Sequence, residues 1–210
     1  MGIEPGNAVD PGWQALARTA AGDAAAFERL VEQHQERLLR LCERMLADVE
    51  EARDAAQEVF LKLYRNAGSF RPRGQLFTLL YRIAVNHCLN RLRRRNLVRF
   101  LRFGDPGDDD RPPFEAPDQR PGAGESLVAR ERWVRVRRAI DRLPGNQRAV
   151  LILAKFEGLS YREIAAVLGI TEGAVESRLF RAMRRLESAE DTPQETQENE
   201  RPVVPTAKRT

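Results

Sequence analysis

The sequence has few of the residues that build metal centres and disulfide frameworks. It contains two cysteines, Cys42 and Cys88, and two histidines, His34 and His87. Neither a C-x-x-C pair nor a Cys/His spacing typical of zinc sites occurs anywhere in the chain. We therefore expect no metal site and no cofactor, and we predict that both cysteines are small buried core residues.

Long apolar runs are missing as well. No stretch approaches the roughly 18 consecutive apolar residues that a membrane-spanning helix needs. The opening stretch, "MGIEPGNAVDPGW", has neither the basic segment nor the apolar segment of a secretion signal. We therefore expect a cytoplasmic protein that does not insert into a membrane.

Acidic residues are absent from one long stretch and concentrated in the next. Residues 71–102 include nine arginines and no acid, whereas residues 104–126 include seven acids and only two arginines. Positive charge returns in residues 178–185, which hold four more arginines. Although the net charge is only +4, two basic regions separated by an acidic string favour a polyanion that is held at two places.

Composition and periodicity divide the chain into five segments. Apolar residues recur at three- and four-residue steps on both sides of residues 104–126, and no convincing strand alternation is present. Five prolines and four glycines interrupt those residues, which predicts a flexible linker. The sequence thus predicts an all-α protein with two small helical domains. The segments are a weakly structured lead-in (1–20), a first domain (21–103), the acidic linker (104–126), a second domain (127–187) and a disordered tail (188–210).

The helix predicted for "EEARDAAQEVFLKLYRN" has a polar stripe opposite its apolar side. We predict that Tyr64 lies on the apolar, buried side. The stripe is compatible with an ordinary solvated face, and the competing interpretation is a docking surface on which Leu61 is the apolar anchor. Its members, at helical spacing, are Asp54, Gln57, Glu58, Leu61 and Arg65.

The next predicted helix, "QLFTLLYRIAVNHCLNRLRRR", is apolar in its first half and basic in its second. Four polar residues share one face at i, i+4, i+8 and i+11: Arg82, Asn86, Asn90 and Arg93. Amides can pair with base edges and arginines with phosphates. A solvated helix end usually mixes charges of both signs, so the absence of acids favours a nucleic-acid surface.

A loop rich in glycine and proline, "AGSFRPRGQLF", precedes this basic helix. It offers one aromatic ring, Phe70, and two cations, Arg71 and Arg73. Aromatic rings and arginines beside a basic groove suit unstacked single-stranded bases. Phe70 is equally compatible with a role as a plug in the core.

The stretch "LSYREIAAVLGITEGAVESRLFRAMRRLE" predicts two helices joined by a tight turn. Ser160 and Glu163 form a capping box at the start of the first, Gly169 makes the turn, and Thr171 caps the second. This spacing is typical of a DNA-binding helix-turn-helix. Arginine can bind guanine bidentately, while serine and the helix N-terminus can hold phosphate. The candidate DNA-contacting residues are Thr171, Glu172, Ser177, Arg178, Arg181 and Arg185.

Taken together, these motifs resemble the sigma-70 family of bacterial RNA polymerase subunits, and in particular its compact extracytoplasmic-function (ECF) group. In the first domain the resemblance rests on "GDAAAFERLVEQH", "DAAQEVFLKLYRN" and "FTLLYRIAVNHCLNRLRRR". In the second it rests on "LPGNQRAVLILAKFEGLSYREIAAVLGITEGAVESRLFRAMRRL". It implies a sigma-2 and a sigma-4 domain, in a protein that directs transcription initiation and is not itself an enzyme.

The resemblance also implies a role for each surface. The stripe from Asp54 to Arg65 would dock on the clamp helices of the largest polymerase subunit, and the second domain would dock on the flap of the second-largest subunit. The loop with Phe70, Arg71 and Arg73 and the face from Arg82 to Arg93 would melt and read the −10 promoter element. The final helix would read the −35 element as duplex. An anti-sigma protein is an expected further partner.

Two other classes of function compete with this interpretation. A stand-alone helix-turn-helix regulator would need a receiver or ligand-binding domain, but the first 103 residues lack the strand–helix alternation of a receiver. An enzyme could use Glu51, Asp54 and Glu58, which fall on one helix face. A four-helix di-metal site needs Glu-x-x-His pairs, however, and neither histidine follows a glutamate at that spacing.

Overall fold

The computed structural model describes residues 10–103 and 127–190, and all regular structure in these two ranges is helical. The all-α prediction is therefore confirmed. The predicted linker and nearly all of the predicted tail lie outside the described residues. The helices are α1 (Pro11–Ala20), α2 (Ala24–Leu46), α3 (Val49–Arg65), a 3-10 turn (Ala67–Ser69), α4 (Leu76–Phe103), α5 (Leu127–Arg142), α6 (Gly145–Lys155), α7 (Tyr161–Leu168) and α8 (Glu172–Glu190).

The prediction of a weakly structured lead-in was wrong for residues 10–20, which form α1. The Asp10 side chain accepts a hydrogen bond from the Gly12 amide at 2.9 Å, and Pro11 occupies the first helical position. Both are common at helix starts, because they leave fewer backbone amides without a partner. Trp13 and Leu16 are buried against the first domain. The helix is therefore part of the core.

The first domain consists of α1 to α4 around one apolar core. Asp23 and Asp48 cap α2 and α3, accepting hydrogen bonds from Ala26 and Glu51 amides at 3.0 and 2.9 Å. Leucines from α2 and α3 and the apolar first half of α4 fill the interior. Both cysteines lie there with no exposed surface, as predicted.

In the second domain, α7 and α8 pack against the apolar helix α6, and α5 packs against α8. Residues of α6 from Gln147 to Leu153 are buried. The predicted capping box is confirmed: the Ser160 hydroxyl accepts from the Glu163 amide at 3.3 Å, and the Glu163 carboxylate accepts from the Ser160 amide at 2.8 Å. Gly169 then adopts φ +66° and ends α7. That left-handed conformation favours glycine.

The two domains pack directly against each other, with α2 and α4 on one side and α6 and α7 on the other. Gly145, at the start of α6, lies so close to α4 that a Cβ atom there would be 2.9 Å from Cδ2 of Leu89. Across the same boundary, Arg148 donates a hydrogen bond to the Met45 carbonyl at 2.9 Å. The structure therefore shows a closed arrangement of the two domains.

Candidate nucleic-acid interface

The first predicted surface, on α3, is a continuous exposed stripe. Alanines and Val59 fill the opposite, buried side of the helix, so the stripe is not needed for packing of the core. Leu61 is 43% exposed in its middle. The members, called here the α3 stripe, are Asp54, Gln57, Glu58, Leu61 and Arg65, and all are exposed.

Tyr64 also belongs to this exposed region, so the prediction that it is buried was wrong. Its side chain is 51% exposed, and its ring packs edge-on against Phe27 with the centroids 5.0 Å apart. The ring therefore adds apolar surface one helical turn from Leu61. Aromatic residues such as tyrosine are enriched at binding interfaces.

The loop between α3 and α4, residues 66–75, presents the predicted aromatic and cationic side chains in different ways. Phe70 is half-buried and contacts the apolar core. This agrees with a role as a plug in the core, and part of the ring still reaches the surface. Arg71 and Arg73 are exposed. Among the described residues, neither arginine has a hydrogen-bond or ion-pair partner.

On α4, the four predicted polar residues form one exposed row, here called the α4 row: Arg82, Asn86, Asn90 and Arg93. Between them, the helix buries Ile83, Val85 and Cys88 on its other side. Arg93 donates to the Asn90 side-chain oxygen at 3.2 Å. Arg82 donates to the Ala166 carbonyl on α7, so one end of the row touches the second domain.

The helix-turn-helix places its second helix, α8, with a polar face towards solvent. The Thr171 hydroxyl accepts from the Ala174 amide at 3.2 Å, as its predicted capping role requires. The Arg181 guanidinium donates a hydrogen bond to the Ser177 hydroxyl at 2.8 Å. The set called the α8 row consists of Thr171, Glu172, Ser177, Arg178, Arg181 and Arg185; all are exposed except Arg178, which is half-buried.

Phe180 is a candidate that the sequence reasoning missed. Its ring is 63% exposed and lies on α8 between Ser177 and Arg181 along the chain. The sequence contained a signal, since an aromatic residue inside a polar helix face is unusual for a solvated surface. An apolar side chain in this position can contact the methyl group of thymine in a major groove.

One buried carboxylate joins the two domains. Glu157 follows α6, and its side chain is only 3% exposed. It accepts hydrogen bonds from three groups of the first domain: Arg37 at 3.1 Å, Arg44 at 2.8 Å and the Tyr81 hydroxyl at 2.6 Å. Burial and this hydrogen bond raise the pKa of Tyr81. Partial burial opposes a rise in the pKa of Arg37, but the contacts with Glu157 outweigh it and raise the pKa.

No group of three or more potential metal ligands occurs in the described parts of the chain. Likewise, no helix within residues 10–103 or 127–190 is long and apolar enough to cross a membrane. The surfaces that stand out are therefore the exposed polar rows on α3, α4 and α8, together with the loop before α4.

Comparison with known proteins identifies both halves of the chain. Residues 30–98 match the family model "Sigma-70 region 2", and residues 133–186 match "Sigma-70, region 4". The RNA polymerase sigma-H factor of Pseudomonas aeruginosa is 36% identical over 184 residues, which cover 84% of this chain and 92% of that protein. The chain belongs to the sigma-70 family. It is an RNA polymerase sigma factor, and not an enzyme.

Other relatives place the sigma factor in the ECF group, as the sequence motifs indicated. The ECF sigma factor SigW of Bacillus subtilis is 32% identical, over 81% of this chain and 92% of its own length. Among solved structures, CnrH in complex with the cytosolic domain of CnrY has a TM-score of 0.60 and 26% identity, covering 87% of this chain and 98% of that one. Because the matches span both domains, they decide against the stand-alone regulator.

Proposed function

We propose that the three exposed surfaces divide the work of this sigma factor. The α3 stripe binds the clamp helices of the largest polymerase subunit. The 66–75 loop and the α4 row melt and read the −10 element, and the α8 row reads the −35 element as duplex. The second domain also contacts the flap of the second-largest subunit. The protein acts in the cytoplasm, with the polymerase.

The observation that carries this proposal is that each row is polar and exposed while its helix is buried on the other side. The α3 stripe offers acids around Leu61, which suits a protein partner with basic and apolar groups. The α4 row offers amides and arginines without an acid, which suits bases and phosphates. The α8 row lies on the second helix of a helix-turn-helix, the helix that enters a major groove in such motifs.

For the −10 element, the loop and the α4 row have complementary tasks. Opening a base pair requires that the freed base be held, and an aromatic face provides about 1–3 kcal/mol of stacking per base. Phe70 keeps its ring at the surface while its other side packs on the core. Arg71 and Arg73 are available for the adjacent phosphates, and Asn86 and Asn90 for base edges.

A protein partner that inhibits this sigma factor is also part of the proposal. CnrH, which shares the fold and 26% identity, was solved with the cytosolic domain of CnrY. The closed arrangement seen here leaves the α3 stripe exposed, so a partner that covers it would compete with the polymerase. We therefore include an anti-sigma protein among the partners.

Transcription in vitro with bacterial core polymerase and a library of promoter fragments tests these assignments. Leu61→Asp should abolish core binding and with it every specific start. Arg181→Ala should retain core binding but lose about 1–3 kcal/mol of discrimination between correct and incorrect bases in the −35 element. Asn86→Ala should weaken the base preference in the −10 element and leave that in the −35 element unchanged. Arg29→Ala, an exposed arginine on α2 outside all three surfaces, is the matched control.

The pattern of losses decides the outcome. If Arg181→Ala and Arg29→Ala reduced transcription equally at all promoters, the α8 row would have no reading role. Normal core binding by Leu61→Asp would remove the docking role of the α3 stripe.

A further inference from the structure

The 66–75 loop has little internal structure to hold its shape. Its hydrogen bonds with itself and α3 lie at its beginning, where Asn66 donates to the Lys62 carbonyl and the Ser69 amide donates to the Asn66 carbonyl. At its end, the Gln75 carbonyl accepts from the Thr78 amide of α4. Residues 71–75 are exposed, and Gly74 has φ +66°. The conformation of the second half must therefore be set by a neighbouring element.

That neighbour is α1, which contacts both ends of the loop. At the first end, a Cβ atom on Gly68 would lie 3.7 Å from the Ala20 Cβ, at ordinary contact distance. At the second end, the Trp13 indole nitrogen donates a hydrogen bond to the Gly74 carbonyl at 2.8 Å. Trp13 is only 5% exposed, whereas Gly74 is exposed, so the bond links the buried side of α1 to the surface of the loop.

Asp10 fixes the point at which the loop becomes α4. One carboxylate oxygen accepts from the Gly12 amide at the start of α1, and the other accepts from the Leu76 amide at the start of α4. A carboxylate is favourable at a helix N-terminus because it satisfies free amides and complements the helix dipole. Here one side chain serves the starts of two helices, and its acceptor role for Leu76 joins residues that are 66 positions apart in sequence.

The fit between α1 and the start of α4 is close. A Cβ atom on Gly12 would be 2.8 Å from the Leu76 Cβ, so any side chain there would push the two helices apart. The loop backbone is thus held at both ends, while the side chains of Arg71 and Arg73 have no partner among the described residues. A fixed backbone that presents free side chains is the arrangement of a preorganised binding site.

We propose that Asp10 and Trp13 are positioning residues for promoter recognition, which hold the 66–75 loop so that Phe70, Arg71 and Arg73 face the unpaired −10 strand. This inference rests on the −10 role proposed for the loop. Without the two anchors the loop would still connect α3 to α4. It would, however, sample several conformations, and the base preference that depends on one conformation would weaken.

The test measures base preference and not only affinity. Wild-type and variant proteins are assembled with core polymerase and titrated with fluorescein-labelled single strands. The strands carry the −10 sequence of a promoter found in the transcription assay, with each position changed to the other three bases. Trp13→Phe keeps an aromatic ring at this position but removes the hydrogen-bond donor to the Gly74 carbonyl. Asp10→Asn replaces one of the two carboxylate oxygens that accept from the Gly12 and Leu76 amides.

Asp23→Asn is the matched control. Asp23 is also a carboxylate cap, on α2, but contacts Ala26 and Arg18 and not the loop. We expect Trp13→Phe and Asp10→Asn each to lower the ratio between the best and second-best base by about fivefold, the factor for one hydrogen bond of about 1 kcal/mol. We also expect faster hydrogen exchange at the Leu76 amide in Asp10→Asn. Asp23→Asn should change neither quantity.

The possible outcomes separate this inference from the proposed function. A base ratio that equals that of the wild type in both variants, even with a lower melting temperature, would reduce Asp10 and Trp13 to structural residues. An equal loss in Asp23→Asn would have the same meaning. A wild-type protein without any −10 base preference would instead overturn the proposed role of the loop, and this inference with it. If Asp10→Asn does not fold, Trp13→Phe alone decides.

Discussion

Replacing Glu157 by glutamine should open the closed arrangement of the two domains. The −10 and −35 elements are centred about 25 base pairs apart, which is about 85 Å at about 3.4 Å per base pair. In the structure, however, Arg82 of the α4 row is hydrogen-bonded to Ala166 of the helix-turn-helix. Under the proposed function, the α4 row and the α8 row therefore cannot reach both elements until the domains separate.

The size of the effect follows from the contacts of Glu157. The side chain of Glu157 is 3% exposed, and that of Arg44, its partner in the first domain, is 15% exposed, so this ion pair is nearly buried. Loss of one member of a buried pair costs about 3–5 kcal/mol. The pair with Arg37 adds little, because Arg37 is 49% exposed and solvent screens it. Since every partner named is in the first domain, the cost falls on the closed arrangement and not on either fold.

A destabilisation of about 3 kcal/mol shifts the ratio of closed to open molecules by about 150-fold. Resonance energy transfer between dyes on Glu32→Cys and Glu176→Cys, exposed residues of α2 and α8, would report the separation. The free protein should show high transfer, and Glu157→Gln low transfer together with tighter promoter binding in the absence of polymerase.

Glu36→Gln is the control for this experiment, because Glu36 pairs with Arg40 on the surface of α2 and is 78% exposed. It should leave the transfer efficiency unchanged. If Glu157→Gln also left the transfer efficiency and the promoter affinity unchanged, the contacts of Glu157 would not determine the domain arrangement. The reasoning from burial would then be refuted.

Two further predictions concern the first domain. Burial, and then the neighbouring Arg91, lower the pKa of His87, which accepts a hydrogen bond from Arg91 at 3.1 Å. Because the unfolded chain then takes up the proton at higher pH, the free energy of unfolding should fall as pH drops below about 6.5. His87→Gln should reduce this fall, and we assign the remainder to His34, because burial also lowers the pKa of that histidine. If His87→Gln and the wild type had the same dependence of unfolding free energy on pH, the assignment to His87 would be contradicted. The hydrogen bond with Cys42, and burial, raise the pKa of Cys88. Cys42 and Cys88 are both fully buried, so both thiols should resist a thiol reagent in the native protein and react in urea, and rapid native labelling would contradict this.

Local signals in the sequence predicted much of the fold. Ser160 and Glu163 are three residues apart, and Gly169 permits the left-handed backbone that ends α7. The helix boundaries around the turn therefore depend on residues that are close in sequence. The polar rows on α3, α4 and α8 were also predicted, because helical periodicity alone determines which residues share a face.

The errors and omissions have a common physical cause. Tyr64 fits the apolar side of α3 by spacing, but the position of Phe27 leaves half of its ring exposed. Glu157 could not be recognised as a site, since Arg37 and Arg44 are 120 and 113 residues away in sequence. The start of α1 could be predicted from Asp10 and Pro11, but its burial depends on packing against α2, the 3-10 turn and α4. Tertiary contacts decide such cases, and one sequence does not display them.

The geometry of α4 has a consequence for how promoter preference can change over time. The exposed positions of Asn86 and Asn90 alternate with buried ones, among them Val85 and Cys88, so the residues proposed to read the promoter and the residues that pack the core are separate sets. Exposed substitutions usually change stability by less than about 0.5 kcal/mol. Under the proposed function, a single substitution at Asn86 or Asn90 can therefore change which promoters such a factor recognises. No stabilising mutation elsewhere is needed first, because the core is unaffected.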